Sequence, residues 1–206
     1  MLHMELDECI VKRHSVHKFS PKEVAASILA TIIKTGTNAP TAGNLQEWRF
    51  VVVTDETQKE KVANACEEQI WMANAGALIV VCTDNRDVKR FYGEPGNGYA
   101  VQDAAAAAML MLLKAHELGL GSCWVSAFDE EKIKDILALP TVVVPHLIVV
   151  LGYSEETGTE KPHFTLGDLI YLNRYGKRAA EYPEMGEIIK KLVEKGKKAA
   201  KKLHQR

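Results

Sequence analysis

Within six residues, Arg13-His-Ser-Val-His-Lys18 sets a guanidinium, a hydroxyl, two imidazoles and an ammonium, a group of donors suited to a phosphate. Short basic stretches are also ordinary solvated surface, so the segment needs partners elsewhere in the chain. A second polar concentration, Asn38-Ala-Pro-Thr-Ala-Gly-Asn44, resists helix formation. Pro40 removes a backbone donor and pushes Ala39 out of the helical region, Gly43 permits a left-handed backbone, and Asn38, Thr41 and Asn44 bond readily to nearby backbone. The loop runs directly into Trp48–Val53, a β-branched and aromatic run of strand length. A polar loop held at a strand's mouth often touches a ligand, although a plain helix-to-strand connector reads the same way.

Other chemistries find little support. Cys9, Cys66, Cys82 and Cys123 are far apart with no Cys-x-x-Cys pair, which suits reduced, buried thiols. Ser15 has no neighbouring base, and His14 with His17 has no third ligand nearby to suggest a metal. Gly93, Gly96 and Gly98 do not make the dinucleotide fingerprint, and no strand directly precedes them. A formal charge of −1 gives no overall attraction to nucleic acid or to anionic membranes. The longest apolar run, Ala104 to Leu113, is half of what a bilayer needs, and the chain opens with acidic rather than signal-like residues, so a cytoplasmic protein is expected.

The elements that must position these residues are signposted locally. At 206 residues, 47% hydrophobic and 26% charged, the chain fits a single domain over 1–206 that ends in a basic helix at about 183–206. From Lys190 to Arg206 there are eight Lys or Arg against Glu194 alone, a pattern read as the solvated face of that helix. Leu2–Lys12 predicts a short first helix. Ser20-Pro-Lys-Glu23 reads as a capping box that opens a helix with Val24, Ile28, Leu29 and Ile32 inward, closed at Gly36. Asp55 with Gln58 caps a helix through Glu67, and Gln69–Trp71 leads to a buried strand at Ala77–Cys82. Asn85–Tyr99 is the least regular stretch and has the makings of a mobile lid. Val101–Leu118 is the longest helix, apolar on nearly every side and therefore central. A strand end before an Asp129-capped helix, a strand at Pro145–Tyr153, a helix capped by Thr165 and Asp168, and an amphipathic helix at Met185–Leu203 weakened by Gly196 complete the reading.

Ala39-Pro-Thr-Ala-Gly-Asn-Leu-Gln-Glu-Trp-Arg-Phe50 closely resembles the Pro-Ser-x-x-Asn-x-Gln-Pro-Trp-x-Phe segment of the FMN-dependent nitroreductase family. Thr41 keeps the hydroxyl of the usual Ser, while Glu47 replaces the usual Pro. Arg13 to Phe19 resembles the family's Arg-x-Ser-x-[Arg/Lys]-x-Phe, with His17 at the last cation, and Lys161-Pro-His163 stands where Lys-Pro-Arg is common. Gln102-Asp-Ala-Ala-Ala together with His116-Glu-Leu-Gly-Leu-Gly-Ser-Cys-Trp124 resembles a third family segment, so the likeness runs from Arg13 to about Gly176.

The resemblance implies an α+β nitroreductase-like fold with a central, mostly antiparallel mixed sheet flanked by helices, in an intertwined homodimer with FMN at the interface. It assigns Arg13, Ser15, His17, Lys161 and His163 to the FMN phosphate, and His14, between the first two, is counted among the cofactor-binding residues. Pro40, Thr41, Ala42 and Asn44 would reach the flavin bound mainly by the other subunit, and Gln69 would touch the flavin or its ribityl chain. A backbone amide of Ser126 or Ala127 would donate to flavin N5, with no catalytic side chain and no metal. NADH or NADPH would pass a hydride through N5 to a nitroaromatic, a quinone or another flavin by a ping-pong route. Two other readings remain within reach: a flavin-binding or electron-carrier module, and a flavin-breakdown or dehalogenase-type member whose lid uses Arg86, Lys89 and Arg90.

Replacing two cations by histidine has a consequence in pH. An imidazole ordinarily loses its charge near pH 6.5, so phosphate retention that depends on His17 and His163 should weaken as pH rises. The FMN dissociation constant is expected to increase from mildly acidic to mildly alkaline pH, and His17→Arg is expected to flatten that slope. A constant flat across the range, or a slope untouched by the arginine, would contradict the assignment.

Overall fold

The computed structural model describes residues 4–158, 164, 166–178 and 183–203, which fall into two compact units, Met1–Gly158 and Thr159–Arg206. In the first unit the order is α1 (Leu6–Lys12), α2 (Ala26–Gly36), β1 (Trp48–Val53), α3 (Glu56–Ala65), β2 (Ala77–Asp84), α4 (Arg86–Tyr92), α5 (Gly96–Glu117), β3 (Gly121–Val125), α6 (Glu130–Leu137) and β4 (Val143–Gly152). Short 3-10 turns at Ala42–Asn44 and Ile70–Asn74 precede β1 and β2. The second unit holds α7 (Leu166–Leu169) and α8 (Pro183–Leu203), with Asp168 accepting from Arg178 at 3.5 Å. Gly196 lies inside α8 without ending it, and the expected Thr165 cap lies outside the described residues.

Among the described residues the strands form one sheet in the order β1-β2-β4-β3, with every pairing antiparallel. The parallel component of a mixed sheet amounts to the isolated bridge between Ser15 and Ser122. Side chains alternate across a strand, and here both faces are apolar. Leu78, Val80, Ile148 and Val150 point to one side and pack with Val62 and Ala63 of α3, Met72 and Ile133 of α6. Ile79, Val81, Leu147, Val149 and Leu151 point to the other and pack with Leu29 and Ile32 of α2 and Ala104, Ala108 and Met111 of α5. The continuous apolar runs of β2 and β4 therefore suit central strands covered on both sides by helices, an α+β arrangement.

Local signals placed most of these elements. Asp55 accepts from Gln58 N at 2.9 Å and Asp129 from Lys132 N at 3.1 Å, the two side-chain caps expected for α3 and α6. Close packing explains Gly36 at the end of α2, since a Cβ there would lie 2.8 Å from Met111 Cγ of α5.

Two expectations are corrected. Ser20-Pro-Lys-Glu23 is not a capping box: α2 begins at Ala26, and Ala25 at its N-cap makes no side-chain cap. Tertiary pairing claims the segment first, because Phe19 bridges to Ser154 and Ser20 N donates to Tyr153 O at 2.8 Å. Asn85–Tyr99 is also more regular than its composition suggests, holding α4 and the first turn of α5. The break is confined to Gly93–Pro95, where Gly93 takes φ +64°. Gly96 then sits against Val88 O, 2.5 Å from where a Cβ would be, and this close approach joins the two helices.

At Gly152 a Cβ would lie 2.8 Å from Phe19 Cδ1 and 3.0 Å from Gly76 N. Gly152→Ala is accordingly expected to cost about 1–3 kcal/mol through overpacking. Urea unfolding should show a lower midpoint at unchanged slope. A midpoint equal to the parent's would contradict this packing.

Candidate functional site

The anion-suited segment lies along the β3 edge. It leaves α1 at Arg13, whose N–H donates to Cys9 O, and Val16 N donates to Ser122 O at 3.0 Å beside the Ser15–Ser122 bridge. His14 Nδ1 donates to Lys12 O at 3.1 Å, and among the described residues the buried Nε2 has no partner. Ser122 Oγ and His116 Nε2 are likewise buried with no partner among the described residues. The His14 and His116 rings meet edge to face at 6.5 Å. Burial first, then the charges of His14, Arg13 and Lys12, hold the His116 pKa below its usual value. This corner thus gathers positive charge and unmet polar atoms.

His17 is exposed and approaches Trp71 edge-on at 4.7 Å, with Nε2 3.7 Å from Cys123 Sγ. Its backbone N–H donates to Glu156 Oε1 at 2.5 Å. That hydrogen bond, with a further contribution from the Lys18 amide and the charges of His17 and His14, holds the Glu156 carboxyl below its ordinary pKa against the opposing effect of burial. An anionic oxygen therefore already lodges against this backbone. Gln69 stands at the start of the 3-10 turn that carries Trp71, and its backbone N–H donates to Cys66 O at 3.2 Å. Ser126 and Ala127 follow the end of β3 and are exposed, and Ser126 Oγ accepts from Trp124 Nε1 at 2.5 Å. Lys161 and His163 lie outside the described residues.

The polar loop is elsewhere. Pro40, Thr41, Ala42 and Asn44 stand before β1, the strand at the opposite edge of the sheet from β3. With two strands between them, the two edges are about 14 Å apart. The loop is held in place by its own bonds: Gln46 N donates to Thr41 Oγ1 at 3.2 Å, and Ala42 N donates to Asp103 Oδ2 of α5 at 2.8 Å. Asn44 and Gln46 take φ of 56° and 52°, left-handed values that cost non-glycine residues free energy and persist only when the surroundings enforce them.

Sequence reasoning did not find the residues that hold these two places. Trp48 Nε1 donates to Asp103 O at 3.2 Å, and Asp103 carries the loop through Ala42. Glu47 is buried, at 3% exposure, and among the described residues neither carboxyl oxygen has a hydrogen-bond partner. Its departure from the usual proline was the available signal. Glu156 had no local signal, because it meets His17 across 139 positions.

A family model described as the nitroreductase family matches residues 10–72 and 66–153. A protein of Archaeoglobus fulgidus, provisionally named NADH dehydrogenase/NAD(P)H nitroreductase, is 33% identical over 158 residues, covering 73% of this chain and 88% of its own. A Thermus thermophilus protein named NADH dehydrogenase is 30% identical over 178 residues, covering 72% and 86%. The crystal structure of nitroreductase A from Vibrio parahaemolyticus superposes with a TM-score of 0.77 at 21% identity, covering 84% of this chain and 78% of that one, a likeness of fold. The chain belongs to the nitroreductase family.

Burial and then the adjoining Asp103 carboxyl push the Glu47 pKa from an ordinary 4.5 up to about 7. The folded state thus keeps a proton that the unfolded chain releases, so stability falls as pH rises from about 4.5 to about 7 and levels off above. Urea midpoints measured from pH 5 to pH 8 should fall for the parent and fall less for Glu47→Gln. Parallel midpoint curves for the two proteins would contradict a protonated Glu47.

Proposed function

We propose that the chain, an NAD(P)H-dependent oxidoreductase by family, binds FMN as a single-domain protein in a homodimer and delivers electrons to a nitroaromatic, quinone or flavin acceptor. When bound, FMN supplies a ring that takes a hydride from NADH or NADPH and gives it up again. The observation that carries the reading is the corner at Arg13–Lys18, where a carboxylate already accepts from the His17 amide and neighbouring imidazole nitrogens are unpartnered. The backbone N–H groups of the segment, with the guanidinium of Arg13 and the ammonium of Lys18, fit a phosphate, and charge-assisted hydrogen bonds of this kind are the strong ones.

In this reading Arg13, His14, Ser15 and His17 grip the phosphate. Gln69 meets the ribityl chain, and the backbone amide of Ser126 or Ala127 orients the reactive edge. Pro40, Thr41, Ala42 and Asn44 serve the site of the partner subunit. The position of the loop at the far edge of its own sheet supports that division, because one copy offers the two half-sites on opposite edges. The self-bonded loop keeps a fixed shape, which lowers the cost of ordering it on a ligand.

The test is an anaerobic titration of the FMN-loaded protein with NADH and then NADPH, followed by its visible spectrum. Bleaching by either donor, reversed by a quinone or nitroaromatic, is the expected outcome, and initial rates should give parallel double-reciprocal lines. Bound flavin that neither donor reduces would instead mark a carrier.

A further inference from the structure

Glu156 occupies a peculiar position for a protein meant to hold a phosphorylated ligand. Its Oε1 takes the His17 backbone N–H at 2.5 Å, in a corner where the Lys18 backbone N–H and the charges of His17 and His14 also favour an anion. The main chain around it is fixed independently of the carboxylate. Ser154 Oγ donates to Glu156 O at 2.7 Å and accepts from Glu156 N at 3.1 Å, while Glu155 N donates to Lys18 O at 3.0 Å. Phe19 and Ser154 form a further bridge between the two segments. Gly158 completes the fit, since any side chain there would collide with the His14 ring.

We propose that Glu156 is a built-in competitor for the phosphate of the flavin, a specificity-determining residue that narrows the preference for FMN over its unphosphorylated counterpart, riboflavin. The proposal rests on the flavin reading above. A carboxylate and a phosphate seek the same N–H donors, and two anions cannot share one small set of hydrogen atoms without repulsion. FMN therefore has to displace the Glu156 side chain, whereas riboflavin leaves it seated. Because Ser154 and Glu155 hold the segment through their own bonds, removing the carboxylate clears the donors without unravelling the loop.

Dissociation constants for FMN and for riboflavin, read from the quenching of flavin fluorescence, would be compared in the parent, Glu156→Ala and Glu156→Gln. A hydrogen bond between charged and neutral groups sets the scale, so Glu156→Ala should tighten FMN by about tenfold with riboflavin little changed. Glu156→Gln, which is neutral but still accepts from the His17 amide, should fall between. An unchanged FMN-to-riboflavin ratio in both variants, or equal weakening of both flavins, overturns the proposal.

A second readout separates this idea from the flavin reading. Amide resonances of His17 and Lys18 in the isotope-labelled full chain would be followed during titration with inorganic phosphate. They should respond in Glu156→Ala at concentrations that leave the parent unmoved. If no variant binds either flavin, the flavin reading falls, yet that phosphate response still upholds Glu156 as the competing anion. Silent amides in Glu156→Ala overturn it.

Discussion

The antiparallel pairing of β2 with β4 is the constraint on which the rest depends. β2 is buried from end to end, and helices must cover both faces of the pair for its apolar runs to be stable. Once α2 and α5 lie on one side and α3 and α6 on the other, the faces of the sheet are closed to ligands. Polar chemistry is left only the edges and the strand ends. The Arg13–Lys18 segment takes the β3 edge, and the Asn38–Asn44 loop takes the mouth of β1.

These two places differ electrostatically in a way that suits different tasks. Beside β3, burial and then the neighbouring imidazole and cations push His116 toward its neutral form, and Glu156 lodges against the His17 amide as a counter-anion. Beside β1, the carboxyls of Asp103 and Glu47 adjoin in a buried setting, where one gains a backbone N–H and the other keeps its proton. The first arrangement attracts an anion. The second fixes the shape of a loop, and it does so with left-handed backbone at Asn44 and Gln46 that a freely mobile segment would abandon.

Close packing couples the elements that hold both places. Gly36 admits Met111 of α5 against α2, and Gly152 admits Phe19 against the end of β4. Phe19 in turn stacks on Trp71 at 6.3 Å, and Trp71 meets His17. The anion corner is thus an extension of the hydrophobic core rather than a loose surface feature. A single added methyl at Gly152 would be felt there because interiors of this density do not absorb extra volume.

What the sequence determined alone was whatever local chemistry governs. Strand β1 follows from its β-branched run, α3 and α6 from their aspartate caps, and α5 from its unbroken apolar length. Motif likeness also pointed to the segments at Arg13, Pro40 and Ser126. Local signals failed where a distant partner outbid them: the backbone groups of Phe19 and Ser20 went to Ser154 and Tyr153, so the capping box never formed. The two edges of the sheet, the seat of Ala42 on Asp103 and the meeting of Glu156 with His17 were decided only in three dimensions. The physical reason is that caps and turns are set by residues three or four apart, whereas strand order and buried charge depend on which distant surfaces exclude water together.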